Sequence, residues 1–189
     1  LLARTGLLLR DDPELLEEVV NLTEYPTAIV GGFDRRFLHL PADILVTVMR
    51  DQQKYFSVVD RSGRLAPRFV CVLDLDSDAG GAIRTNHERV LRARFEDAEF
   101  FWRIDTRKKL PDRVSELHRV VFAERLGSYA DKAGRVSRLA AWLGENVSSN
   151  GRRADVRVLL RAAQVAKCDL TTQMAVSYTH LTLPTNREV

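Results

Sequence analysis

The chain has little cysteine, only Cys71 and Cys168 among 189 residues. Two thiols far apart, in apolar or helical surroundings and without metal-ligand spacing, exclude a disulfide framework and a zinc ribbon. They read as buried free thiols in a reducing compartment. Long apolar runs are missing as well. Nothing approaches the roughly 20 residues that a membrane span needs, and Leu1–Leu9 is interrupted by Arg4 and Gly6, unlike a signal peptide. A cytoplasmic protein without membrane association is expected. There is no glycine-rich phosphate loop, since Gly31-Gly32 and Gly80-Gly81 are lone pairs better read as turns. No serine or cysteine carries a nucleophile signature.

What is present is charge, unevenly spread. Residues 1–83 hold 9 basic and 13 acidic side chains, whereas residues 84–167 hold 19 basic and 11 acidic. Such a split points to two domains, the second facing a polyanion or an acidic partner. An arginine-rich helical domain with solvated charges gives the same count, because arginine is a good helix former. The apolar share of 45% suffices to build one core or two small ones.

The acidic half reads as mixed α and β. Asp12 and Pro13 suit the N-cap and first position of a helix whose stripe is Leu15, Leu16, Val19 and Val20. Thr27–Val30 is a short strand that Gly31-Gly32 is expected to end. Pro41-Ala42-Asp43 opens a second helix with Ile44, Leu45, Val48 and Met49 inward. Tyr55–Asp60 and Leu65–Leu75 form strands joined by the turn Asp60-Arg61-Ser62-Gly63. Asp74–Gly81 is the best domain boundary. Beyond it the periodicity predicts helices over about 84–107, 111–126, 129–144 and 154–173, the third capped by Ser128 after Gly127. Ser148–Gly151 reads as a loop, and Val158, Leu159, Ala162, Val165 and Ala166 are the inward face of the last helix. Short loops between helices give a compact bundle.

The densest stretch is Asn86–Trp102, where His87, Arg89, Arg92 and Arg94 are followed by Phe95, Phe100, Phe101 and Trp102 at helical spacing and without Gly or Pro. Three blocks containing it resemble one family. They are Glu24-Tyr25-Pro26 through Met49-Arg50-Asp51-Gln52-Gln53-Lys54-Tyr55-Phe56; then Asn86-His87-Glu88-Arg89-Val90-Leu91-Arg92-Ala93-Arg94 through Leu110; then Leu126-Gly127-Ser128 with Lys167-Cys168-Asp169-Leu170. Over roughly residues 12–174 the chain is similar to the beta subunit of the bacterial two-subunit glycyl-tRNA synthetase. That subunit is much longer, which with Leu1 in first place implies an internal fragment.

The resemblance implies an α+β chain: residues 1–80 as the end of an editing-domain-like α+β module, residues 81–174 as the first part of an all-α HD-type helical domain. It implies a ligase subunit that binds and positions tRNA(Gly) beside an alpha subunit, which holds ATP, with Mg2+, and glycine; no cofactor is expected in the fragment itself. The HD-type doublet falls on Cys168-Asp169, so its histidine is missing, and His87 and His118 have no matching carboxylate spacing; no catalytic or metal residue is assigned. Arg89, Arg92, Lys108, Lys109, Lys132 and Arg135 are the candidates for gripping phosphates. Arg94 is weaker, since its position suits burial against Asp97. The aromatics suit helix packing better than base stacking. A metal-dependent phosphohydrolase and a purely structural docking module are the alternatives. After Met174 the family-like spacing stops, and residues 175–189, threonine-rich and without a helical stripe, read as a non-native tail, with a strand over Ser177–Leu183 as the other reading and His180 as no candidate.

Overall fold

The computed structural model describes residues 1–149 and 152–175, the side chains of 148, 149, 152 and 153 excepted. The expected tail, with its strand reading and His180, lies outside these residues apart from Ala175. The chain forms two compact units, Leu1–Phe100 and Phe101–Val189. Asp74–Gly81 therefore lies within the first unit.

In the first unit, β1 (Leu8–Leu9), β2 (Pro26–Gly32), β3 (Phe56–Val59) and β4 (Leu65–Asp74) make an antiparallel sheet in the order β1-β3-β4-β2. Helix α1 (Pro13–Leu22) starts as expected, with the Asp12 carboxylate accepting the Leu15 N–H at 3.0 Å. Its Leu15 and Val19 pack on Phe56, Val58, Ala66 and Val70, which sit at even spacings along the strands. Leu16 and Val20 stay exposed, so the expected four-residue stripe is only half used.

The opposite face of the sheet carries Phe69, fully buried and stacked on Tyr55 with ring centroids 4.7 Å apart. Here the sequence expectation for β2 fails. Gly31 and Gly32 continue the strand, paired with Phe69 and Arg68. The reason is steric: a Cβ on Gly31 would lie 2.2 Å from Phe69 Cζ, so glycine is the residue that lets this ring lie across the strand.

Helix α2 (Ala42–Thr47) opens at Pro41 and buries Leu45, then widens into a π turn over Val48–Gln52 that buries Val48 and Met49, while Ile44 is half-buried. Lys54 ends it in the left-handed region at φ 58°, and its ammonium pairs with Glu18 at 2.7 Å. The expected hairpin between β3 and β4 forms, its turn drawn together by the Asp60 carboxylate on Ser62 and Arg64.

Helix α3 (Ala82–Asp105) is two residues off the expected start and end, and the Asp78 carboxylate accepts the Ile83 and Arg84 N–H groups at its beginning. Leu91, Phe95 and Ala98 are its buried face. Phe95 sits edge-on to Phe33 at 5.0 Å and against Phe37 at 5.3 Å, which fixes α3 over the unit's core.

The second unit departs more from expectation. Residues Leu110–Arg119 wind as 3-10 turns, and β5 (Val121–Ala123) and β6 (Gly127–Ser128) then pair as a short hairpin in place of a helix to 126. Val120-Val121-Phe122 are β-formers, and Gly127 at φ 81° turns the chain where a side chain would strike Asp131. Helix α4 (Tyr129–Asn146) carries the expected Ser128 cap as a complete capping box with Asp131. The residues Ser148–Ser149 and Arg152–Arg153, expected as a loop at their first end, pair as β7 and β8.

Helix α5 (Val156–Val165) is capped by Asp155 and is shorter than expected. Of the residues read as inward, Leu159 and Val165 are half-buried, whereas Val158, Ala162 and Ala166 are exposed and Ala163 is the buried one. The helix gives way at Lys167 to 3-10 turns over Cys168–Thr171, because Cys168 seats in a small core with Leu117 and Ala133. Thr171 and Thr172 turn their hydroxyls onto the Cys168 and Asp169 carbonyls, which competes with continued helix. The fold class is thus α+β, with short strands in the second unit as well as the first. Both cysteines are free and buried, and burial pushes the Cys71 thiol up to about 12.

Candidate nucleic-acid interface

Helix α3 presents Arg89 and Arg92 one turn apart on its exposed side, as the spacing requires once Leu91 and Phe95 face inward. Arg89 donates to the Asn86 side chain at 3.0 Å. Arg92 donates through Nε to Glu96 at 3.2 Å, and Arg36 reaches the same carboxylate at 2.6 Å. The Arg92 hydrogen bond, reinforced by the charges of Arg92 and Arg36, holds the Glu96 carboxyl below the usual range. Arg94 is half-buried, and among the described residues it has no ion pair with Asp97, which is exposed.

Arg89 and Arg92 border a cleft of about 530 Å³ with Arg35, Arg68, Phe33 and Glu88 among its walls. Its floor is pinned from three elements. The Gly32 N–H at the end of β2 donates to Glu88 of α3 at 2.8 Å, and the Phe33 N–H donates to the Pro67 carbonyl of β4 at 3.2 Å. Arg35 and Arg68 escaped sequence reasoning. Arg68 reaches the cleft because β4 pairs it with Gly32, a register that no local pattern encodes.

In the second unit the four other sequence candidates have unequal freedom. Lys108 is ion-paired with Glu116, whose carboxyl is lowered chiefly by that hydrogen bond. Lys132 is half-buried and lies 3.7 Å from the centroid of the Phe122 ring, a cation–π contact that commits its ammonium locally. Lys109 and Arg135 are exposed, and neither has an ion pair within 4.0 Å among the described residues.

The remaining polar groups are structural in their contacts. His87 meets the Tyr55 hydroxyl, and burial lowers its pKa. Cys168 is fully buried with its thiol toward the Gln164 carbonyl, whereas the neighbouring Asp169 is exposed, so the doublet does not converge on one point. Arg113 and Asp105 form a nearly buried pair at 3.2 Å, and Asp105 also accepts the Gln173 and Met174 N–H groups, each at 2.9 Å. Among the described residues no three His, Cys, Asp or Glu side chains gather as a metal site, and no helix is long and apolar enough to cross a membrane.

Comparison with known proteins bears on what these surfaces serve. The family described as glycyl-tRNA synthetase beta subunit matches residues 1–182, a span that passes Met174 into the stretch read as foreign. The chain is 44% identical over 178 residues to the glycine–tRNA ligase beta subunit of Acidobacterium capsulatum, covering 93% of this chain and 25% of that protein. It is 42% identical to the same subunit of Syntrophotalea carbinolica (94% and 25%) and 43% identical to that of Halothermothrix orenii (90% and 24%). The chain spans about a quarter of the length of these curated relatives. With a match over nearly its whole length, the chain belongs to the glycyl-tRNA synthetase beta subunit family.

Proposed function

We propose that the chain is a segment of a glycine–tRNA ligase beta subunit that grips tRNA(Gly) by its phosphates and presents the terminal adenosine for ATP-dependent glycylation. In this reading the alpha subunit binds ATP, Mg2+ and glycine, and the complex works in the cytoplasm. The chain itself contributes position: holding two reactants in register supplies much of the rate gain in a group transfer. Residues 1–80 would be the end of an editing-like module and residues 81–174 the start of an HD-type domain that has kept a scaffold without its metal chemistry.

The observation that carries the reading is the exposed pair Arg89 and Arg92 on a helix fixed by Phe95, in a chain of this family. Guanidiniums one turn apart reach successive phosphates, and backbone contact of this kind suits the shape-based recognition of folded RNA. Lys109 and Arg135 add exposed charge in the second unit, and Lys108 and Lys132 join them only by leaving Glu116 and Phe122.

The test is the double variant Arg89→Glu/Arg92→Glu in the complete two-subunit ligase. It is expected to weaken tRNA binding and charging, and to flatten the salt dependence of binding by about 0.7 per lost contact. Glycine-dependent ATP chemistry is expected to persist. Wild-type charging at every salt concentration, in a variant with native helical content and normal association with the alpha subunit, refutes the role of these arginines. Capture of the alpha subunit without any affinity for tRNA would instead support the docking module, and turnover of phosphate esters with a retained metal would support the phosphohydrolase.

A further inference from the structure

The cleft between β2, β4 and α3 has an imbalance that the fold does not explain. Four guanidiniums line it, those of Arg35, Arg68, Arg89 and Arg92, against the two carboxylates of Asp34 and Glu88. Both carboxylates are engaged by neighbours. Asp34 accepts the Arg36 N–H at 2.9 Å and lies 3.7 Å from the Arg36 guanidinium, and Glu88 accepts the Gly32 N–H at 2.8 Å. Arg92 is paired with Glu96 at 3.2 Å, but neither Arg35 nor Arg68 has an ion pair within 4.0 Å among the described residues, and Arg89 meets only a neutral amide oxygen. Guanidiniums without carboxylate partners around one cleft favour an anion between them, and guanidinium forks suit phosphate oxygens.

The shape narrows the anion. A concavity of about 530 Å³ has the size of a small-ligand pocket. Phe33 and Pro67, both half-buried, supply apolar wall beside the guanidiniums, as proteins do where an unpaired base packs next to its own phosphate. The Gly32–Glu88 and Phe33–Pro67 hydrogen bonds hold these walls in place before any ligand arrives, which lowers the ordering cost of binding.

We infer that this cleft takes one nucleotide of an unpaired RNA strand, its base against Phe33 and Pro67 and its flanking phosphates on Arg35, Arg68, Arg89 and Arg92. The inference rests on the tRNA-binding reading and deepens it: α3 acts as one wall of a site whose other wall is the β2–β4 edge, so single-stranded RNA is gripped here and not only the outside of a helical arm.

The experiment titrates a short fluorescein-labelled unpaired oligoribonucleotide into the complete two-subunit ligase. Arg35→Ala/Arg68→Ala is expected to weaken its binding by about tenfold or more, the scale of a lost charge-assisted contact, and to flatten the salt dependence. Arg35→Lys/Arg68→Lys, which keeps charge, should recover part of the loss and so separates a binding effect from misfolding. Arg64→Ala, which removes an exposed arginine of the same unit that pairs with Asp60, should leave binding unchanged. Wild-type affinity in the Arg35/Arg68 alanine variant overturns the cleft. If the Arg89/Arg92 reversal still impairs tRNA charging in that case, the helix-surface reading stands and only this inference falls. Displacement of the oligonucleotide by ATP at equal or lower concentration assigns the cleft to a free nucleotide and overturns the RNA strand as its occupant.

Discussion

Replacing Gly31 by alanine adds one methyl group, and the structure puts it in conflict with a single ring. The new Cβ would stand 2.2, 2.6 and 2.8 Å from three carbons of Phe69, where carbon atoms in contact prefer about 3.5–4.0 Å. The ring has nowhere easy to go, being fully buried, stacked on Tyr55, and Tyr55 in turn joined to His87 of α3. Overpacking of this kind costs about 1–3 kcal/mol. Loss of glycine's freedom in the unfolded chain returns about 0.4–1 kcal/mol. The expected net destabilisation is about 1–2 kcal/mol. Because the chain has two units, amide exchange of β2 and β4 is the assay, since it reads the opening of this unit alone. The decisive comparison is a double-mutant cycle. Phe69→Ala alone costs about 3–5 kcal/mol, but in that background the Gly31→Ala step should cost little or become favourable. An equal cost of Gly31→Ala in both backgrounds, or none in either, would refute the steric account.

Three further outcomes follow from contacts described above. Asp105→Ala should destabilise the second unit by about 3 kcal/mol, because it leaves the buried Arg113 guanidinium with only the longer Glu116 contact at 3.9 Å and frees the Gln173 and Met174 N–H groups; denaturant unfolding followed by tryptophan fluorescence measures it. Stability should fall on acidification through the ordinary imidazole range near 6.5: burial lowers the folded pKa of His87, so the unfolded state binds more protons there, and His87→Gln should flatten the urea midpoint against pH. Cys168→Ala is expected to leave adenylate formation and metal content of the whole ligase unchanged, and Asp169→Ala, an exposed change, to alter stability by less than about 0.5 kcal/mol; loss of a tightly bound metal in either variant would overturn the scaffold reading.

Where local chemistry decides the structure, the sequence announces it. Asp12 before Pro13, Ser128 three residues before Asp131, and Asp60 at the head of its turn each act within a few residues, and each appears where expected. The helical spacing of Asn86–Trp102 is likewise realised, with Leu91, Phe95 and Ala98 as the inner face of α3. The misreadings share a cause, in that a distant group outvotes the local pattern. Gly31-Gly32 looks like a strand end until Phe69 is laid across it from β4. Residues 120–126 suit a helix until Val121 finds Ser128 across a turn at Gly127. The candidate site divides the same way. Arg89 and Arg92 could be found from helix spacing, whereas Arg35 and Arg68 join them only through strand register and a short 3-10 turn over Arg35–His39.

The carboxylate of Asp105 also sets an order of events during synthesis. It is translated long before its partners Gln173 and Met174, and the backbone hydrogen bonds it accepts from them span 68 and 69 residues. Until those amides emerge from the ribosome, Asp105 and Arg113 have each other but not the strand of backbone that closes over them, including the Thr171 carbonyl that Arg113 also needs. The sheet, by contrast, has all its strands once β4 has been made, since β2 pairs Pro26 with Asp74, and only the Gly32 N–H at its end then waits for Glu88. The two units are therefore asymmetric on the nascent chain: the first sheet can settle early, while the second unit carries a polar pair that stays wet until its last turn arrives.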